Sequence, residues 1–312
     1  MPPIKTIAVC GIGQMGAAAA VSYQRAGYDV LLWARNAEKL QAVQETLDRL
    51  NAWIDEHVGA SSRKAGVVHL EPNLVNIDGQ ADLVMDCIAE DMEQKAILLR
   101  RFERSLANGA IFISTTSGLS ITEMGRRSGV GHLLAGAHFW NPPHLMPLVE
   151  VIRGEQTPNW LMDRVCEIVE DIGKIAVRVE RDVPGFIGNR LLHAMWREAI
   201  HLVETGVATA ADIDRVTRLT FSLRQPAVGP FENMDLVGLE LVHAIQSYLF
   251  ADLANDREPQ RPVVERLRAG DFGMKSGRGF YDWQARSADD LLERRDRQIV
   301  RQLDFLREMR AL

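Results

Sequence analysis

Residues 11–16 read GIGQMG, and they sit between IKTIAVC at 4–10, a short β-rich run, and a stretch with helical character to about Ala26. A strand that enters a helix through glycines spaced G-x-G-x-x-G leaves few choices of fold. Gly11 permits the tight turn, Gly13 lets another molecule approach the backbone, and Gly16 lets the helix pack closely on the strand. YDVLLWA at 28–34 follows as a second strand and completes a βαβ unit. The helix start presents unpaired N–H groups to an anion, so Gly11, Gly13, Gln14, Met15 and Gly16 are expected to cradle the pyrophosphate of a dinucleotide.

Further apolar runs at 67–70, 82–89, 110–115, 133–139 and 148–154 alternate with polar helical segments. This alternation predicts an α/β architecture, a Rossmann-type doubly wound parallel sheet. After Pro184 the texture changes. FIGNRLLHAMWREAIHLVETG has apolar residues at helical spacing, Thr209 with Asp212 three residues on reads as a helix start, and 235–250 and 286–311 also read as helices. The expected division is a dinucleotide-binding domain at 1–184 and a smaller all-α domain at 185–312.

Composition excludes more than it selects. The net charge of −6 is spread along the chain, so no basic face marks a nucleic-acid binder. The start MPPIKTIAVCGIG lacks the regions of a secretory signal, and no run approaches eighteen apolar residues, so neither export nor a membrane partner is expected. Cys10, Cys87 and Cys166 are odd in number and widely spaced, which suits reduced thiols in a cytoplasmic protein. No metal-ligand set is assigned.

At the end of the second strand, where NAD enzymes usually carry an acid for the ribose hydroxyls, stand Trp33, Ala34, Arg35 and Asn36. No carboxylate would repel a 2′-phosphate there, and Arg35 is suited to pair with one. The cofactor is thus expected to be NAD(P), with NADP(H) favoured; the alternative is an NAD enzyme in which Arg35 stacks on adenine. A dehydrogenase also needs a proton carrier for the substrate oxygen, and histidine is the usual choice. His57, His69 and His201 lie in helical or peripheral segments. His138 differs, because it ends an apolar strand and meets the turn at Asn141, Pro142 and Pro143, and strand carboxyl ends face the ligand crevice. Glu150, twelve residues later across the proline-rich turn, can lie on the adjoining strand and point back.

GIGQMG, IAEDMEQK at 88–95, STTSGLSITE at 114–123, HFWNPPHLMPLVEV at 138–151, DVPGFIGNR at 182–190, GPFENMDLVGL at 229–239 and FGMKSGRGFY at 272–281 occur in that order. The chain resembles the 3-hydroxyacyl-CoA dehydrogenase family over about residues 4–283. By that resemblance His138 is the general base in alcohol oxidation and the acid in reduction, Glu150 holds its other nitrogen, and Ser117 and Asn189 hydrogen-bond the substrate oxygen. Glu90 and Lys95 match family positions near the nicotinamide and its ribose. The family's helical domain pairs subunits, which implies a homodimer.

CoA-specific members usually carry a lysine-rich helical hairpin between the second and third strands. Here 38–66 hold one helix and then HVGASSRKAG, with Arg63 and Lys64 as the only adjacent basic pair. NPPH and TSG resemble instead the branch acting on small free acids: L-gulonate 3-dehydrogenase and its lens-crystallin relative, L-carnitine dehydrogenase, and the pyridine-carboxylate dehydrogenase of vitamin B6 degradation. A free carboxylate needs a cation, for which Arg190 and Arg224 are candidates, with Trp140 and His144 shaping the wall. The expected reaction interconverts a secondary alcohol or hydroxy acid and its carbonyl form. The alternatives are a short-chain 3-hydroxyacyl-CoA substrate, oxidation of an aromatic aldehyde to the acid, or a non-catalytic nucleotide-binding protein.

Overall fold

The computed structural model describes residues 3–309, which divide into two compact units at Arg190 and Leu191. In the first, β1 (Thr6–Cys10) passes through the glycine turn into α1 (Gln14–Arg25) and returns as β2 (Asp29–Trp33). A long amphipathic helix, α2 (Ala37–His57), leads to the short β3 (Val68–Leu70). Then come α3 (Leu74–Ile77), β4 (Leu83–Asp86), α4 (Met92–Arg100), α5 (Glu103–Ala107), β5 (Ile111–Ser114) and α6 (Ile121–Ser128). The unit is completed by β6 (Leu134–Phe139), β7 (Leu148–Ile152), α7 (Asn159–Asp171) and β8 (Ile175–Val179).

The eight strands form one sheet in the order β3-β2-β1-β4-β5-β6-β7-β8. The chain reverses its direction of travel across the sheet between β1 and β4, and the crevice at that switch point lies beside the glycine turn. Strands β4, β5 and β6 are buried along their whole length because helices cover both faces. Val9, Leu32, Met85 and Ile113 pack on one side with α1, α2 and α7; Ala8, Val84 and Phe112 pack on the other with Leu98, Leu99 and Met124 of α4 and α6.

Two features correct the expected sheet. All pairs are parallel except β6 with β7, which run antiparallel. The connection at 140–147 is too short for the crossover of a dozen or more residues that parallel neighbours need. The sequence reading also passed over β8, which lies parallel to β7 at the edge of the sheet.

The second unit, considered by itself, is helical. It takes up most of α8 (Gly188–Glu204), then α9 (Ala210–Leu219), α10 (Phe221–Arg224), α11 (Pro230–Val237), α12 (Leu239–Leu249), α13 (Arg261–Ala269) and α14 (Ala288–Glu308). Thr209 caps α9 by accepting from the Asp212 N–H. The helix expected over 235–250 is broken at Gly238, whose φ of 98° no helix interior accommodates. The last helix begins after the Ser287 cap; positions 310–311 of the expected 286–311 segment lie outside the described residues. None of the described helices is long and apolar enough to cross a membrane. The three cysteines are free thiols: Cys10 is buried in β1, where burial pushes its pKa well up, and the other two lie partly buried against the core.

Candidate active site

The glycine turn has the shape its spacing implied. A Cβ on Gly11, whose φ is 125°, would stand 2.4 Å from the Cys87 carbonyl oxygen, and one on Gly16 would stand 2.0 Å from the Gly11 carbonyl oxygen. A Cβ on Gly13 would meet nothing within 4 Å, so the space before it is open. No side chain caps the start of α1, which leaves its first N–H groups for an anion. Met15 turns its side chain onto the core, so it can offer a ligand only its backbone. These residues fit a dinucleotide pyrophosphate. Beside the turn, Trp33, Ala34 and Arg35 line a cavity of about 260 Å³ together with Ile88, Ile97 and Leu98. Asn36, expected at the cofactor, uses its side-chain oxygen as the cap of α2, accepting from the Lys39 N–H at 2.8 Å.

Lys95, expected near the cofactor, lies in α4. It is only 1% exposed, and its Nζ lies 2.9 Å from Asp86 Oδ2, 3.3 Å from the Ile88 carbonyl oxygen and 3.6 Å from Glu90. Asp86 ends β4 fully buried and also accepts from Ser114 Oγ and the Ile88 N–H. An aspartate taken out of water must be paired, so Lys95 serves as its counter-charge beneath the loop. Glu90 carries that network onward: its Oε1 accepts from Thr116 Oγ1 at 2.6 Å and from the Ser117 N–H at 2.9 Å. Asn189, in the first turn of α8, donates from Nδ2 to the Ser117 carbonyl oxygen at 2.9 Å. The Ser117 backbone is therefore held on both sides, and its hydroxyl is left for a ligand.

His138 and Glu150 are direct register partners across the antiparallel β6–β7 pair, so their side chains share one face of the sheet. His138 Nδ1 lies 2.7 Å from Glu150 Oε2, with the two residues 4% and 2% exposed. A carboxylate can only accept, so Nδ1 carries the proton and Nε2 presents its lone pair. Glu150 Oε1 accepts from the N–H groups of Ile187 at 2.9 Å and Gly188 at 3.0 Å. Burial alone would raise its pKa, but the His138 bond and those two backbone donors together hold it below the ordinary glutamate value. Glu150 is thus a buried anion with three donors aimed at it.

The segment that supplies those donors is constrained on every side. Phe186 adopts a φ of 51°, uncommon for a residue with a bulky side chain, and its buried ring lies 5.6 Å from the His138 ring. A Cβ on Gly188 would come within 2.1 Å of Trp140 Cζ2, and Trp140 in turn lies 5.1 Å from His138. Asp182 ties this segment to α6 by accepting from Ser120 Oγ and the Thr122 N–H.

Sequence reasoning missed Lys174. Its buried Nζ donates to the carbonyl oxygens of Pro143 and Met146, both at 2.8 Å, and so clamps the loop joining His138 to Glu150. Burial pulls its pKa down to about 8. Of the remaining expected residues, His144 packs edge-on against Trp53 of α2, and Arg190 is exposed and donates to the Pro184 carbonyl oxygen at 3.3 Å. Arg224 ends the short helix α10 of the second unit.

Comparison with known proteins gives the family. Residues 6–183 match the family model for the 3-hydroxyacyl-CoA dehydrogenase NAD binding domain, and residues 185–283 match that for its C-terminal domain. The chain is 32% identical to the 5-formyl-3-hydroxy-2-methylpyridine 4-carboxylate 5-dehydrogenase of Mesorhizobium japonicum, covering 95% of this chain and 96% of that one. It is 35% identical to a probable 3-hydroxybutyryl-CoA dehydrogenase of Bacillus subtilis, covering 91% and 99%. A crystal structure of 5-formyl-3-hydroxy-2-methylpyridine 4-carboxylic acid 5-dehydrogenase, an NAD+-dependent dismutase, superposes with a TM-score of 0.92 at 31% identity over 98% of this chain and 99% of that one. The chain belongs to the 3-hydroxyacyl-CoA dehydrogenase family and is an NAD(P)-dependent oxidoreductase acting on CH–OH groups.

Proposed function

We propose that this dehydrogenase interconverts a small hydroxy acid, or another secondary alcohol without CoA, and its carbonyl form, with His138 and Glu150 as the proton-transferring pair and NADP(H) as the preferred cofactor. The observation that carries the proposal is the 2.7 Å bond between His138 Nδ1 and the buried Glu150 carboxylate. In oxidation, His138 Nε2 takes the hydroxyl proton; in reduction it returns one. Glu150 stabilises the imidazolium and fixes its orientation. Ser117 Oγ and the second N–H of the Asn189 amide donate to the substrate oxygen, where charge develops. When bound, the nicotinamide supplies the two-electron exchange with the substrate carbon.

A substrate without CoA is supported by the region that would face its phosphates. Helix α2 carries five acidic residues against two basic ones, Lys39 and Arg49. Arg63, half of the only adjacent basic pair between α2 and β3, is already paired with Asp171 at 2.9 Å. Little is left to hold a multiply charged nucleotide tail. The likeness to a pyridine-carboxylate dehydrogenase supports a second reading, in which His138 deprotonates a hydrated aromatic aldehyde on its way to the acid. NADP(H) is supported by Ala34 and Arg35 at the end of β2, and a homodimer through the helical unit by apolar side chains exposed there, among them Leu219, Leu223, Phe231 and Leu236. The three free thiols support a cytoplasmic setting.

Replacing His138 with Ala is expected to lower turnover about 10²- to 10⁴-fold with cofactor affinity unchanged; turnover near wild type would end the proposal. A panel of free hydroxy acids, acetoacetyl-CoA and aromatic aldehydes, run with both cofactors, separates the substrate readings. Ala34→Asp is expected to shift preference towards NAD, and unchanged NADPH affinity would show that the β2 terminus does not read the phosphate.

A further inference from the structure

The cavity beside the glycine turn has two walls of different character. One is the end of β2, with Arg35; the other is α4 and the residue that caps its C-terminus, Arg101. Between them Ile88, Ile97 and Leu98 offer an apolar surface suited to a planar base. Among the described residues no carboxylate lines this space, although the hydroxyls of an unmodified ribose would call for one.

The two arginines stand out against their neighbours. Arg100 is engaged by Glu93 and the Arg127 carbonyl oxygen, Arg104 by Asp78, and Arg25 by Asp55. Arg35 and Arg101 make neither an ion pair nor a side-chain hydrogen bond among the described residues. Both residues line the same small cavity, and a guanidinium offers paired donors that match phosphate oxygens.

We infer that Arg101 is the second arm of an anion site whose first arm is Arg35, and that this site binds a phosphate on the adenosine ribose of the cofactor. The inference rests on the NADP(H) reading above and extends it to a residue on α4. A phosphate held from both walls would be selected by two charges, and both must be removed to abolish the selection.

Equilibrium binding tests this without turnover. Calorimetry on the full chain would compare 2′,5′-ADP with 5′-AMP for wild type, Arg101→Gln, Arg35→Gln and the double variant. Wild type is expected to bind 2′,5′-ADP more tightly than 5′-AMP. Arg101→Gln is expected to weaken 2′,5′-ADP about 10- to 100-fold, the range for hydrogen bonds to a charged group, while leaving 5′-AMP unchanged. The double variant is expected to bind the two ligands alike. If Arg35→Gln weakens 2′,5′-ADP and Arg101→Gln does not, the site has one arm and this inference fails while the cofactor reading survives. If wild type does not distinguish the ligands, both fail.

Discussion

Changing Glu150 to Gln keeps the shape of the side chain and removes its charge, which isolates what the carboxylate does for His138. Glu150 accepts three hydrogen bonds, one from His138 Nδ1 and two from the Ile187 and Gly188 N–H groups. The amide must choose. Pointing its oxygen at the two backbone donors keeps two bonds, whereas pointing it at His138 would set NH2 against two N–H groups. The first orientation wins, because each unmatched buried donor costs about 1–3 kcal/mol. The amide NH2 then donates to Nδ1 and drives the imidazole proton to Nε2, the nitrogen needed as base. Turnover is expected to fall about 10³- to 10⁴-fold, equivalent to about 4–5.5 kcal/mol, a range reached when an Asp–His pair loses its carboxylate in the same manner. Initial-rate kinetics at saturating cofactor would measure this, with cofactor affinity read separately by fluorescence. The acid limb of stability should change as well. Glu150 is held below the ordinary glutamate value, so its contribution is present above that value and is lost as pH falls through the folded-state value; the Gln variant should lack this slope. Wild-type turnover in Glu150→Gln would refute the assignment.

Other consequences follow from the buried cations. Lys95→Met leaves Asp86 without its ammonium and should destabilise the fold by about 3–5 kcal/mol, measured by urea unfolding; an unchanged midpoint would show that Ser114 and the Ile88 N–H suffice. Lys174 has a folded-state pKa of about 8, below the ordinary lysine value, so the unfolded chain binds more protons between the two. Wild-type stability should therefore rise with pH across that window relative to Lys174→Met, by about 3 kcal/mol at most. The absence of a pH-dependent difference between them would show that Lys174 is not held as described.

Much of the first unit was legible because its signals are local. GIGQMG carries its own geometry, and the twelve-residue spacing of His138 and Glu150 across a proline-rich turn allowed the facing strands to be inferred. The antiparallel direction was equally available from the length of that connection, yet alternation of strands and helices argued for a wholly parallel sheet. The strand at Ile175–Val179 was harder to see, because an edge strand with Arg178 inside it and Lys174 and Glu180 at its ends lacks a continuous apolar run. The burial of Lys95 and Lys174 had no local signal. Each is buried because of a partner brought in by tertiary structure, a strand-end aspartate for one and two loop carbonyls for the other. Asn189 presents the same difficulty, since its bond to the Ser117 carbonyl spans 72 residues of sequence.

The tautomer of His138 is the most direct test of how this site works. Nitrogen NMR on 15N-histidine-labelled protein, with His138→Ala used to assign the resonance, reports which ring nitrogen carries the proton in the neutral state. The account predicts a protonated Nδ1 facing Glu150 and an unprotonated Nε2. A proton on Nε2 with Nδ1 bare would contradict it.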